Sequence, residues 1–210
     1  VWCNGFIADT VAQEIANQFE AKYPGVRVNG IRSTSQVAYQ RLLQDIQNNM
    51  ANCDVYSSSD ASHFEYLMGE GLLMEFTPEN AQHLNPAFAE YYKSGYYYPA
   101  LMFLISVIYN SNVVSDDEAP KSWDDFLDEK WHGRAAIGHA AFSGAIGTFA
   151  LQIKETKGLD WLEAFAETDP LIGRSANDAI QQLNSGERDV AIAPSHVALS
   201  SAWRGNPIKV

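Results

Sequence analysis

Pro120–Gly147 reads PKSWDDFLDEKWHGRAAIGHAAFSGAIG. Ser122 and Asp125, three apart, have the spacing of a capping box at a helix start, with Asp in place of Glu. Trp123, Phe126 and Leu127 then share one helical face. Gly133 ends that unit. Ala135-Ala136-Ile137-Gly138 is short and apolar, as a buried strand is. Phe142-Ser143-Gly144-Ala145 opens a second helix, expected to run to Lys157. A strand that passes through a small-residue turn into a helix leaves backbone N–H groups unpaired at the turn, which suits an anion. An ordinary αβα connection carries the same pattern, so the stretch decides fold before it decides ligand.

The same alternation recurs on both sides of it. Upstream, Val1 to Asn4 reads as a strand entering the turn Gly5-Phe6-Ile7-Ala8. Thr10 and Gln13 have capping-box spacing, and Val11, Ile15, Phe19 and Tyr23 put an apolar face on the helix that follows. Pro24-Gly25 breaks it. Val26 to Ile31 alternates and reads as a second strand. Ser33-Thr34-Ser35 opens a second helix with Val37, Leu42, Leu43, Ile46 and Met50 inward. Asn52 to Tyr56 is a third strand, running into Ser57-Ser58-Ser59-Asp60 and a third helix with Phe64, Leu67 and Met68. Strands alternating with helices predict a parallel sheet with right-handed crossovers. The polar turns then gather at the carboxyl edge of the strands, where open α/β sheets bind ligands.

Gly71 to Met74 reads as a short edge strand, and Pro78 to Lys93 as a polar helical surface segment. The apolar run Ala100 to Tyr109 reads as a buried strand closing on Asn110-Ser111-Asn112. Downstream of Gly147, Leu159 to Phe165 is a short amphipathic helix and Ser175 to Asp178 opens another. Asp189 to Ala193 is a buried strand, followed by Pro194-Ser195-His196 and a helix to about Trp203. Pro207 to Val210 has the look of a strand start.

The chain has 210 residues, 46% hydrophobic and 19% charged, enough for one large or two small globular domains. A net charge of -12 argues against nucleic acid or an anionic membrane surface as partner. It leaves room for a small anion, because helix ends act over short range. No apolar run approaches the ~20 residues of a membrane span. No signal peptide precedes Val1-Trp2-Cys3, as in a mature or trimmed chain. Cys3 and Cys53 form no Cys-x-x-Cys pair. They read either as a disulfide, if their strands are neighbours, or as two inert buried thiols.

Several segments, in order, resemble one family. They are Phe19-Glu20-Ala21-Lys22-Tyr23-Pro24-Gly25-Val26, Cys53-Asp54-Val55-Tyr56, Gly69-Glu70-Gly71-Leu72-Leu73 and Val107-Ile108-Tyr109-Asn110-Ser111. After them come Pro120 to Asp125, Lys130-Trp131-His132-Gly133-Arg134, Ser143-Gly144 and Gly186 to Val190. The chain is similar to bacterial extracellular solute-binding proteins of ABC importers, of the type II periplasmic binding fold. Within that fold it is most similar to the branch of ferric-iron, thiamine, phosphonate and sugar-phosphate receptors. The resemblance implies an α/β protein of two lobes with mostly parallel sheets, here 1–104 and 105–210, the C-terminal part missing. It implies a non-enzymatic, monomeric periplasmic receptor (or an extracellular, membrane-anchored one) that holds a small solute in the cleft between its lobes and delivers it to an ABC permease, without a cofactor.

Ferric members of the branch place two adjacent tyrosines after the strand that matches Asp189 to Ala193. Here that turn is Pro194-Ser195-His196-Val197, and Phe6-Ile7-Ala8 stands where they often carry a histidine. Fe(III) prefers phenolate and carboxylate oxygens. The residues therefore point to an organic anion: a phosphonate, or a phosphorylated or carboxylated compound. The alternatives are a ferric-iron receptor and a ligand-sensing domain. The expected ligand contacts are Phe6, Ser33, Thr34, Ser58 and Ser59 from the first lobe, and Ser143, Gly144, Asn177 and His196 from the second, with no metal ligands. Ser143 with the N–H groups of Gly144 and Ala145 would hold the anionic head. Asp60 would bind an ammonium group or cap its helix. His63, His83, His132 and His139 are expected at the surface or rim.

Overall fold

A computed structural model describes residues 1–91 and 95–210, the side chains of 89–91 excepted. The contacts divide these residues into two units: Val1–Ser33 with Ala38–Met102, and Thr34–Val37 with Phe103–Val210.

The first unit is built on three short parallel strands, β1 (Trp2–Asn4), β2 (Gly30–Arg32) and β3 (Val55–Ser57), in the order β2-β1-β3. Helices α1 (Asp9–Lys22), α2 (Ser35–Gln47) and α3 (Ala61–Gly69) follow them in turn. Asn4 is in register with both Arg32 and Ser57. The turns after the three strands therefore meet at one edge, as the alternation predicts.

Several local expectations change. Helix α1 begins at Asp9 on Ala8, which makes no side-chain cap bond, so the expected Thr10–Gln13 box does not form. Strand β2 starts only at Gly30. The residues ahead of it are held by Glu20 instead, whose carboxylate accepts the Val28 N–H at 2.9 Å and pairs with Arg27 at 3.2 Å. Strand β3 begins at Val55 rather than Asn52. On α2, Leu42 is buried but Val37 is exposed, and Met50 is exposed beyond the helix end. Gly71 to Met74 forms no strand, and Glu79–His83 and Pro86–Tyr91 are 3-10 turns; the remainder of that segment lies outside the described residues.

The second unit has five strands: β4 (Ile105–Asn110), β5 (Ala135–Gly138), β6 (Leu171–Gly173), β7 (Val190–Pro194) and β8 (Ile208–Lys209). Their order is β6-β5-β7-β4-β8. β5, β6 and β7 are parallel, and β4 runs antiparallel to β7 and β8. The apolar run from Ala100 becomes strand only at Ile105, because the ladder with β7 stops at Pro194, where the partner turns into a helix. Leu101, Met102 and Leu104 are consequently exposed coil.

Helices α4 (Gly144–Lys157), α5 (Leu159–Glu167), α6 (Ala176–Asn184) and α7 (Ser195–Trp203) flank this sheet. Successive strand residues face opposite sides. Ala135, Ile137, Val190 and Ile192 pack with Ile146, Phe149, Trp161 and Phe165 on one side. Ala136, Ala191 and Ala193 pack with Ala179, Ile180 and Leu183 on the other. Small alanines on that second side let α6 lie close. The segment expected to be helical after Ser122 is two 3-10 turns, Asp124–Leu127 and Glu129–Trp131. Its cap nevertheless forms: the Asp125 carboxylate accepts the Ser122 N–H at 3.1 Å, and Ser122 Oγ accepts the Asp125 N–H at 3.4 Å. Phe126 and Trp131 are buried in the first of the two cores.

Candidate functional site

In the first unit the turns are joined by Asn4, which is buried. Its Oδ1 accepts the N–H groups of Ile7 at 2.8 Å and Phe6 at 3.2 Å, while Nδ2 donates to the Ile7 carbonyl at 2.8 Å. Its backbone carbonyl accepts the Ser33 N–H at 3.1 Å, and Gly5 N–H donates to the Ser57 carbonyl at 2.8 Å. Phe6 and Ser33 are thus brought together with the start of the Ser57–Ser59 turn. Sequence reading passed over Asn4, because a lone Asn at a strand end gives no pattern beyond a turn signal.

The Ser58 turn is organised by His63, which is buried rather than at the rim where it was expected. Its Nδ1 lies 2.9 Å from Tyr56 Oη and 2.9 Å from Ser58 Oγ, and its Nε2 lies 3.6 Å from Asp60. The Tyr39 ring stacks on it at 3.9 Å with an interplanar angle of 8°. A proton on Nε2 faces the Asp60 carboxylate and leaves Nδ1 to accept both hydroxyls. Ser58 Oγ in turn accepts the Asp60 N–H at 3.0 Å. Ser58 is thus tied to both His63 and the start of α3. Burial moves the His63 pKa below its ordinary value, against the opposing pull of Asp60. Asp60 also caps α3, accepting the Ser62 N–H at 3.0 Å. Ser59 is half-buried in the same turn, and Thr34, also half-buried, groups with the second unit.

A cleft of about 150 Å³ lies between α1 and the β1–β2 edge, lined by Asn4, Asp9, Gln13 and Arg32 among others. It is well below the ~300 Å³ of the smallest usual organic-ligand pockets. Arg32 and Asp9, both in its lining, pair at 3.5 Å.

In the second unit the parallel strands β5, β6 and β7 end at one edge. His139 N–H donates to the Gly173 carbonyl at 2.7 Å, and the His139 carbonyl accepts the Ser143 N–H at 3.0 Å. Ser143 is the N-cap of α4, its Oγ accepting the Ile146 N–H at 3.5 Å. Among the described residues, the N–H groups of Gly144 and Ala145 have no protein acceptor. Ser175 and Asp178 form a full capping box at the start of α6, which sets Asn177 in its first turn, exposed. His196 sits in the first turn of α7, 4.9 Å from the Phe103 ring, and partial burial lowers its pKa.

Two glycines allow these helix starts to crowd together. A Cβ on Gly138 would come within 2.8 Å of the Ala176 nitrogen, and one on Gly173 within 2.5 Å of Asp178 Cβ. Ser143, Gly144, Asn177 and His196 thus all follow strands that end on one side of the sheet. Arg174, which follows β6 there, was not foreseen. It is exposed and has no acceptor among the described residues. Only the missed strand β6 places it; in sequence it is an ordinary surface arginine. His83, His132 and His139 are exposed, as expected.

No helix among the described residues is long and apolar enough to cross a membrane, and they contain no cluster of three His, Cys, Asp or Glu suited to a metal. A search of curated protein sequences finds no relative. Among solved structures, the periplasmic binding protein P5PA superposes with a TM-score of 0.86 at 18% identity, over 100% of this chain and 68% of that one. AfuA from Actinobacillus pleuropneumoniae, with fructose-6-phosphate bound, gives a TM-score of 0.84 at 21% identity, over 100% of this chain and 67% of that one. Iron-bound HitA from Pseudomonas aeruginosa gives 0.80 at 20% identity, over 99% and 67%. At these identities the likeness establishes the type II periplasmic binding fold. The family model described as "Bacterial extracellular solute-binding protein" matches residues 52–207, and the chain belongs to that family, whose members bind small solutes for ABC transporters in the periplasm or outside the cell.

Proposed function

We propose that this protein captures a small organic solute with an anionic head and hydroxyl groups, of the phosphorylated or carboxylated sugar type, for an ABC uptake transporter. The two segments 1–104 and 105–210 act as its two lobes. The observation that carries the reading is the edge of the second sheet. The unpaired Gly144 and Ala145 N–H groups open a 14-residue helix there, and Ser143, Asn177 and Arg174 follow strands ending on the same side. Helix-end N–H groups with a nearby guanidinium suit phosphate or carboxylate oxygens. The first unit offers polar groups for solute hydroxyls: Ser58 Oγ, with Phe6, Ser33 and Ser59 on neighbouring turns; Thr34 lies in the segment that groups with the second unit. His196 adds a donor at the second edge.

The bound fructose-6-phosphate of AfuA has this same division into anion and polyol. The iron of HitA asks for a different set. Hard Fe(III) seeks several anionic oxygens, and the turn after β7 carries Ser195 and His196 instead of phenols.

Thermal-shift and calorimetric titrations with phosphorylated sugars, phosphonates, sugar acids and Fe(III) test the reading. A phosphorylated or carboxylated sugar should stabilise the protein without being turned over, by about 2.7 kcal/mol at a hundredfold excess over Kd. The double variant Ser143→Ala/Asn177→Ala should lose that shift. Stabilisation by Fe(III) alone would overturn it.

A further inference from the structure

The two cysteines lie in the first unit on neighbouring strands. Cys3 is the middle residue of β1, and β3 runs beside β1 in parallel register. Just ahead of β3 the backbone bends, and the N–H groups of Asp54 and Val55 both donate to the Val1 carbonyl, at 2.9 and 3.2 Å. That bend turns the Cys53 side chain back along its own strand, where its Sγ lies 3.4 Å from the Val55 carbonyl oxygen. There it lies beside the Trp2-Cys3 segment, which pairs with Val55 and Tyr56, close enough to Cys3 for the neighbouring thiol to act on it. Both residues are half-buried.

We propose that Cys3 and Cys53 are joined by a structural disulfide in the mature protein. Disulfides persist in the periplasm and outside the cell, where the family operates. The oxidant is a disulfide of the thiol-exchange class. One thiolate attacks it and forms a mixed disulfide, and the second thiol then displaces the carrier. Two S–H bonds break, one S–S bond forms, two protons leave, and the oxidant departs as two thiols.

The bond has the character of a staple rather than a switch. Burial, reinforced by the neighbouring Cys3, pushes the Cys53 thiol up to about 12, so it ionises little once the sheet has formed. Closure therefore belongs to folding, before the two strands bury it, and the folded, reduced protein should oxidise slowly. The bridge would clamp the first strand of the sheet to the third across a loop of roughly 50 residues, long enough for a large effect on the unfolded chain.

Peptide mapping of the protein purified from an oxidising compartment, or refolded with oxidised and reduced glutathione, decides the matter. Lys22, Arg41 and Lys93 are the tryptic sites bounding the two cysteines, which fall in peptides 1–22 and 42–93. Without reductant these peptides should appear as one species, about 2 Da lighter than their sum, that separates on reduction. Reductant should lower the Tm by about 10 °C, and Cys3→Ser should melt at that lower value with or without reductant. Quantitative alkylation of both cysteines in the unreduced, denatured wild-type protein would overturn the proposal, whether or not Cys3→Ser folds.

Discussion

In the second unit Phe126, Ile108 and Ile192 are wholly buried, whereas in the first unit Val11, Ile15, Phe19 and Tyr23 each keep 41–52% of their surface exposed. Both sets were legible as apolar stripes. The second unit folds its stripes onto both faces of a five-stranded sheet. The first offers α1 a sheet of three strands, three residues each, too narrow to cover the helix face. An amphipathic pattern records that a face is to be covered; it does not say by what. Stability within the described chain therefore sits in the second unit, while the first is held more by polar links.

That contrast can be broken by substitution. Phe126→Ala should cost about 3–5 kcal/mol in chemical denaturation, because it empties a filled core site. Phe19→Ala, on the exposed stripe, should cost under about 1 kcal/mol. Equal losses would mean that α1 is covered in solution and the contrast is false.

Asn4→Ala tests the polar half of the comparison. It deletes an amide that accepts two N–H groups and donates to one carbonyl, leaving them buried and unpaired. The expected loss is about 2–3 kcal/mol, large for a surface-edge turn. If it is negligible, the turns are held by the strands alone.

The smallest effect is in pH. His63 has a folded-state pKa below its ordinary value of 6.5. The unfolded chain then binds a proton where the folded one does not, so stability is full above pH 6.5 and falls as the pH drops below it. His196 shifts in the same direction in the second unit. His63→Gln should flatten the acid limb of the denaturation midpoint between pH 7 and 5 only in part, leaving the His196 share. An unchanged limb would mean that His63 titrates alike in the folded and unfolded chain, and a steeper one that the fold favours its charged form.

The alternation of strand and helix was readable because apolar runs and hydroxyl caps recur along the chain: Ser143 and Ser175 are caps as expected. Thr10 was not, because the helix begins one residue ahead of it on a main-chain turn. Strand bounds failed where a tertiary partner decides them. Val28 is held by Glu20, and Leu101 to Leu104 lie beyond the end of the β7 ladder. Strand β6 is only Leu-Ile-Gly, too short for a period to show, and with it Arg174 was lost from view. His63 looked like a rim histidine because nothing local announces that Tyr39 and Tyr56 close over it.

The glycines at 138 and 173 have a practical consequence. At Gly138 main chain meets main chain at the start of α6, and at Gly173 the strand meets the Asp178 side chain, so the rim of the sheet has no room for a Cβ at either glycine. Arg174, Asn177 and His196 stand on that rim with exposed side chains, while Ser143 is tied into it as the N-cap of α4. On the proposed site, a designer who wants a biosensor for another solute would recode Arg174, Asn177 and His196 and keep both glycines and the Ser143 cap.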